Sequence, residues 1–217
     1  MKFTKHIKHI IWDWNGTLVD DTRYCVDLIN GILARRSLPG INEGRYKRTF
    51  NFPIIDYYKR VGLDLEKETF ETISNEFISA YIHSRHNLIL HDGALKALNF
   101  FDARKLPQCM LSASQHETLL QTLKEHGIEN YFKTVLGLDD HFAFGKIHLG
   151  KTWIENNKIE KNHVLFIGDT LHDLEVANEM GIHCILVATG HQSKERLSKR
   201  HPHVLDSLNQ LIELFNA

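Results

Sequence analysis

His9-Ile10-Ile11-Trp12-Asp13-Trp14-Asn15-Gly16-Thr17-Leu18-Val19-Asp20 is the stretch whose reading decides the fold. The apolar run from Ile10 is too short for a packed helix and breaks at Asn15-Gly16, so it reads as a buried strand ending in a turn. Side chains two apart in a strand point to the same side, which would bring Asp13 and Asn15 together at the strand's C-terminal end. In open α/β sheets that edge is where ligands bind. A carboxylate there is a nucleophile, a metal ligand or both. Taken alone, the stretch is equally well explained as a turn in which Asx side chains cap backbone groups.

The chain that follows changes character twice. From Asp20 to Arg36, Cys25, Leu28, Ile29, Ile32 and Leu33 recur at helical spacing, and Ser37-Leu38-Pro39-Gly40 ends the helix. Residues 42–50 and 53–61 read as two short helices, the second with Pro53 at its first position. Residues 65–86 read as a longer amphipathic helix. No strand is evident between Asp20 and Asn87. Alternation then sets in: a helix over 93–104, a strand over 107–112, a helix over 115–126 closed by Gly127, and a strand over 134–136. A helix over 151–157, a strand over 163–167, a helix over 173–180 stopping at Gly181, and a strand over 182–187 follow. An amphipathic segment over 206–215 closes the chain. Strands alternating with helices imply right-handed crossovers. The predicted class is therefore α/β, a Rossmann-like, mainly parallel sheet with helices on both faces. Residues 1–19 and 88–217 would form this core, and residues 20–87 an inserted helical cap.

Composition narrows the function classes. The net charge of -1 with no long basic block leaves no electrostatic footprint for nucleic acid. No apolar run approaches membrane-spanning length and the polar start lacks a secretory h-region, so a cytoplasmic chain without membrane attachment is expected. Cys25, Cys109 and Cys184 form no CxxC pair and are expected to be reduced thiols. His83, His86 and His91 could be taken for a metal cluster, but nothing completes a ligand set around them, and structural or surface histidines are expected.

Three strand ends and one loop converge chemically. The first ends in Asp13 and Asn15, the second in Ser112-Ala113-Ser114, and the third in Gly168-Asp169-Thr170-Leu171-His172-Asp173. Lys146 follows the Phe144-Gly145 loop at a helix start; Lys151 is its competitor for the same role. In a parallel sheet these ends share one edge. Carboxylates with a backbone carbonyl suit Mg²⁺, a hard ion that takes oxygen ligands and keeps several waters. Ser112 with the N–H groups of Ala113 and Ser114 makes an anion cradle. Lys146 supplies a point charge for phosphoryl oxygens, and an aspartate can act as a nucleophile.

With these residues in place, the whole chain resembles the haloacid dehalogenase superfamily, in the subgroup with a small helical cap inserted after the first motif. The family's DxDGT stands here as Asp13-Trp14-Asn15-Gly16-Thr17, followed by Leu18 and Asp20. Its strand ending in Ser or Thr is Met110-Leu111-Ser112, its lysine best matches Lys146, and its GDxxxD is Gly168-Asp169-Thr170-Leu171-His172-Asp173. The resemblance implies that Asp13 is the nucleophile and that Asp13, the Asn15 carbonyl and Asp169 hold Mg²⁺. Asp173 would orient a metal-bound water or bind the metal more loosely, and Ser112 and Lys146 would hold the phosphate. The resemblance is nearest to phosphoglycolate phosphatase-like proteins and implies a small phosphorylated metabolite as partner without fixing phosphoglycolate; oligomeric state is not legible.

Asn15 departs from the pattern. The family's phosphatases usually carry aspartate there, and this second carboxyl protonates the leaving oxygen, a role worth roughly 10²–10⁴-fold. An amide cannot do so. Either the substrate has a good leaving group or another acid, such as His172 or a cap residue, substitutes. Otherwise the enzyme is slow, or the chain is a weakly catalytic relative that binds a phosphorylated ligand. Arg45, Lys47, Arg48, Asn51, Tyr57 and Arg60 are the candidate substrate contacts from the cap, and Lys47 or Lys59 could be nominated for a Schiff base but read better as solvated lysines.

Overall fold

Ile10, Ile11 and Trp12 are wholly buried because the strand they form is covered on both faces. Ile10 and Trp12 join one apolar cluster with Leu98, Phe101, Met110 and Leu165. Ile11, pointing the other way, joins Leu111, Phe166, Val176 and Met180. A computed structural model of the protein describes residues 2–138 and 145–216, and Phe144 of the expected loop before Lys146 lies outside the described residues.

The first half holds β1 (His9–Trp12), β2 (Val19–Asp20), α1 (Thr22–Arg35), α2 (Glu43–Thr49), α3 (Ile54–Val61), α4 (Phe70–Ser84) and β3 (Ile89–Leu90). The alternating part holds α5 (Ala94–Ala103), β4 (Gln108–Gln115), α6 (His116–Glu125), β5 (Phe132–Leu138), α7 (Lys146–Asn156), β6 (Val164–Gly168), α8 (Leu171–Met180) and β7 (His183–Val187). It closes with α9 (Lys194–Ser198), β8 (Val204–Leu205) and α10 (Leu208–Asn216).

Six strands form one sheet in the order β5-β4-β1-β6-β7-β8, and every pairing is parallel. The order reverses direction at β1, whose neighbours are β4 and β6. The crevice outside the C-terminal ends of these three strands is the switch point where α/β sheets bind ligands. β2 and β3 pair antiparallel apart from this sheet, Val19 opposite Leu90 and Asp20 opposite Ile89. Helices α1–α4 share a cluster of their own built on Ile29, Ile32, Leu33, Tyr46, Tyr57, Tyr58 and Ile73.

Several element ends differ from the sequence reading. Pro53 stands at the N-cap of α3, not at its first turn. The helix expected from residue 65 begins at Phe70, because the Thr69 side chain accepts from the Thr72 N–H and caps it there. Lys146, expected at a helix start, opens α7, to which Lys151 also belongs. Strand β4 runs to Gln115 but leaves its register with β5: Leu111 pairs with Leu136 and Gln115 with Leu138, so Ser112, Ala113 and Ser114 bulge out of the ladder.

Candidate active site

β1 stops at Trp12, and the Asp13 N–H still donates to the Ile167 carbonyl at 2.9 Å. Asp13 thus continues the face on which Ile11 points. From that face α7 brings Lys146, whose Nζ lies 2.6 Å from Asp13 Oδ1 and 2.7 Å from Asp173 Oδ1. Asp173 is fixed by α8's own start. Thr170 and Asp173 form a capping box, and Asp173 Oδ2 accepts from the Asp169 and Thr170 N–H groups and the Thr170 hydroxyl. One carboxylate therefore starts a helix and faces a lysine. Asp169 is fully buried; its oxygens accept from the Thr17 hydroxyl at 3.0 Å and the His191 N–H at 2.6 Å. Gly16, at φ +71°, and Gly190 make room for it, since a Cβ at either would overlap its carboxylate.

Oxygens of Asp13, Asp169 and Asp173 lie within 4.8 Å of one another, a group that could hold a metal ion. Burial pushes the Asp13 carboxyl up to about 6 against the pull of Lys146. Burial pushes Asp169 up to about 8, opposed by His191 and reinforced by Asp173 and Asp13. For Asp173 burial acts in the same upward direction but Lys146 overrides it and holds the carboxyl below its usual value. Lys146 is drawn down by burial and raised on balance by Asp13 and Asp173. Among the described residues, four buried aspartates (Asp13, Asp21, Asp169, Asp173) meet two buried cations, Lys146 and His191. Full ionisation leaves two negative charges, which suits a divalent cation with oxygen ligands.

Asn15 does not turn toward Asp13. Its Nδ2 donates to Asp21 Oδ2 and to the Tyr81 hydroxyl, both at 2.7 Å, and its Oδ1 accepts from the Ser114 hydroxyl at 3.0 Å. Tyr81 also donates to Asp21 Oδ2 at 2.9 Å. The other Asp21 oxygen accepts from the Gly16 N–H at 2.9 Å and lies 3.2 Å from His191 Nε2. Tyr46 closes the chain at 3.0 Å from His191 Nδ1. Burial lowers the His191 pKa, but Asp21, with Asp169 and Asp13 behind it, pushes it up to about 9. The Asn15 amide is thus a junction between β4, the start of α1 and α4.

Of the site residues expected from sequence, Asp13, Lys146, Asp169 and Asp173 meet. Ser112 is buried at the start of the β4 bulge, with Ala113 beside it, and the Ser114 N–H donates to Ser112 Oγ at 3.1 Å. Lys151 points away and pairs with Glu179 at 3.0 Å. His172 stacks on Phe52 with ring centroids 4.5 Å apart, and its buried Nε2 has no hydrogen-bond partner among the described residues. Among the α2–α3 candidates, Lys47 reaches the Thr189 carbonyl at 3.5 Å and Asn51 Oδ1 accepts from Arg196 at 2.7 Å. Tyr57 is buried among aromatic rings, while Arg48, Lys59 and Arg60 are exposed. His83, His86 and His91 belong to neither of the two ligand-bearing triads found among the described residues. All three cysteines are free and buried.

Asp21, Tyr46, Tyr81 and His191 were not singled out from the sequence. His191 had a signal: it follows β7 by a few residues, on the sheet edge that carries the other groups. Asp21 had none, because its neighbour Asp20 fits the motif as well on paper. In the structure Asp20 pairs only loosely with His91, at 3.8 Å.

A family model described as haloacid dehalogenase-like hydrolase matches residues 10–187. The chain is 22% identical over 218 residues to the phosphoglycolate phosphatase of Vibrio parahaemolyticus, covering 96% of both. It is 22% identical over 196 residues to the 5'-nucleotidase of Pseudomonas aeruginosa, covering 89% of this chain and 88% of that one. Among solved structures, a haloacid dehalogenase-like family hydrolase from Streptococcus pneumoniae superposes with a TM-score of 0.74 at 17% identity, covering 97% and 99% of the two chains. Protein tyrosine kinase A of Mycobacterium tuberculosis superposes with a TM-score of 0.80 at 19% identity, covering 98% and 100%. These structural likenesses concern the fold. No helix among the described residues is long and apolar enough to cross a membrane.

Proposed function

Because the chain belongs to the haloacid dehalogenase-like hydrolase family, we propose that it is a Mg²⁺-dependent phosphatase of small phosphorylated metabolites, with Asp13 as the nucleophile. The observation that carries this reading is Asp13 itself: a buried carboxylate 2.6 Å from Lys146, grouped with Asp169 and Asp173 at the sheet's switch point. Asp13, the Asn15 backbone carbonyl, Asp169 and Asp173 would hold Mg²⁺, which when bound supplies the positive charge that lets an anionic phosphoryl group approach an anionic carboxylate. An Asp13 oxygen attacks phosphorus and the bond to the leaving oxygen breaks, leaving an aspartyl-phosphate; water then attacks that phosphorus, releasing phosphate and the free carboxylate. Lys146 neutralises phosphoryl oxygens, and Ser112 with the Ala113 N–H orients them. In this reading residues 1–19 and 88–217 are the core, and residues 20–87 are a cap that closes over it and excludes water.

Asn15 bears on the substrate. Both of its amide N–H groups are engaged, by Asp21 and Tyr81, and an amide has no proton to give. The reaction is therefore assigned to leaving groups that depart without protonation, such as aryl or acyl phosphates. The relatives named phosphoglycolate phosphatase and 5'-nucleotidase support a small phosphorylated substrate without agreeing on one.

A series of aryl phosphates differing in leaving-group pKa, hydrolysed with and without Mg²⁺, tests the proposal. Turnover is expected only with Mg²⁺, to rise steeply as leaving-group pKa falls, and to drop by more than about 10³-fold in Asp13→Asn. Turnover surviving in Asp13→Asn rejects the nucleophile; a flat dependence on leaving-group pKa shows that another group supplies the proton.

A further inference from the structure

Away from this site, the end of α4 and the turn after it face α6 across a groove of about 320 Å³ lined by Ile82, Arg85, His86, Thr118, Gln121 and Glu125. Arg85 is the anomaly in it. Its side chain is only 7% exposed, and its Nε is buried without a hydrogen-bond partner among the described residues. The ion-pair contact it makes is to Glu125 Oε2, at 4.0 Å, too long for a hydrogen bond. Nε is one of the five N–H donors of the guanidinium's planar fork, and leaving that donor buried and unsatisfied is costly. Glu125 Oε2 stands too far away to relieve it, and Glu125 Oε1 accepts from Gln121 Nε2 at 2.8 Å.

We infer that this groove is a binding site for a small carboxylate, held by the Arg85 fork between α4 and α6. Two parallel N–H···O bonds to a planar carboxylate match the fork's geometry. Thr118 adds a hydroxyl, and Ile82 gives an apolar wall for a short alkyl part. Glu125 sets the charge class: its carboxylate on the same wall opposes a phosphate dianion more than a singly charged carboxylate. The groove also has two sides that belong to different parts of the chain. Arg85 and His86 follow α4, whose Tyr81 is bonded to Asn15, and α6 starts directly after the Ser112–Ser114 bulge. A ligand bridging them would hold α4 against the sheet edge.

The test is thermal shift and calorimetric titration of the full chain with acetate, propionate and inorganic phosphate, alongside Asp13→Asn, Arg85→Met and Glu125→Gln. Acetate or propionate is expected to raise the midpoint of the native protein and of Asp13→Asn equally, by about 2–4 °C at saturation. Affinity should fall about tenfold or more in Arg85→Met and rise in Glu125→Gln. If Arg85→Met does not fold, the Glu125→Gln comparison alone decides, and unchanged or weaker affinity there overturns the proposal. It is also overturned if no saturable binding occurs up to about 50 mM, if binding is lost in Asp13→Asn, or if Arg85→Met weakens phosphate binding more than carboxylate binding.

Discussion

Asn15 shows how much one atom can alter the local chemistry. With Nδ2 replaced by oxygen, Asn15→Asp would set a second carboxylate 2.7 Å from Asp21, and Tyr81 has one hydroxyl proton to share between them. Two carboxylates at that distance must hold a proton in common, so one pKa rises above its unfolded value. The stabilisation from that shared proton is present in acid and lost as pH rises. Asn15→Asp is therefore expected to lose about 1–3 kcal/mol at pH 8 and much less at pH 5, as read by denaturant melts at the two pH values. A variant at least as stable as the native chain at pH 8 would contradict the network. At this scale the sequence was informative where the chemistry lies within short motifs. Asp13, Asp169 and Asp173 could be picked by spacing from a strand end. Asp21 could not, because it draws its meaning from His191, 170 positions further along the chain.

At the scale of elements, the irregularities lie at the site. β4 bulges where Ser112 and Ala113 leave the ladder, and the segment after β7 reaches back to the helices that follow β1. Gln192 Nε2 donates to the Phe50 carbonyl at 3.1 Å, Arg196 donates to the same carbonyl and to Asn51 Oδ1, and the Ser193 N–H reaches the Lys47 carbonyl at 3.3 Å. These bonds fasten the α2–α3 connection over the sheet edge. Arg196→Ala should cost about 1–3 kcal/mol and speed limited proteolysis between residues 48 and 53, while the sheet keeps its far-ultraviolet signature. Cleavage no faster than in the native protein would show that Arg196 does not hold the connection. Apolar patterning predicted the longer helices and strands β1 and β4–β7, but not α9 or the two-residue strands β2, β3 and β8, which carry too few side chains to show a pattern. It did not predict the bulge or the late start of α4, since a cap such as Thr69 and a slipped register leave the apolar pattern unchanged.

Across the molecule, the buried charges set a pH response. Asp13 at about 6, Asp169 at about 8 and His191 at about 9 are all raised above their unfolded values. Each contributes stability that is complete below its unfolded pKa and is lost as pH passes the folded one. His9, His91, His126, His172 and His203, held below their usual value mainly by burial, act in the opposite sense between about pH 5 and 7, so in chelator the melting temperature is expected to fall from about pH 7 to pH 9. Mg²⁺ held, as proposed, by the ionised carboxylates should stabilise the protein increasingly over the same interval, by about 2.7 kcal/mol at a hundredfold excess over Kd. A melting temperature in chelator that is flat or rising over that range would refute the charge inventory.

The β2–β3 pair carries a different kind of consequence. Val19 lies opposite Leu90 and Asp20 opposite Ile89, so the chain departs from the sheet and comes home at one doorway. Whatever lies between those residues closes the same gap regardless of its length, and the entropy of that closure grows only slowly with the number of residues enclosed. The doorway therefore frees the intervening stretch to be rebuilt by evolution while the sheet keeps its assembly, and Asp21, standing just inside it beside Gly16 and His191, is where any such rebuilding would be felt by the chemistry.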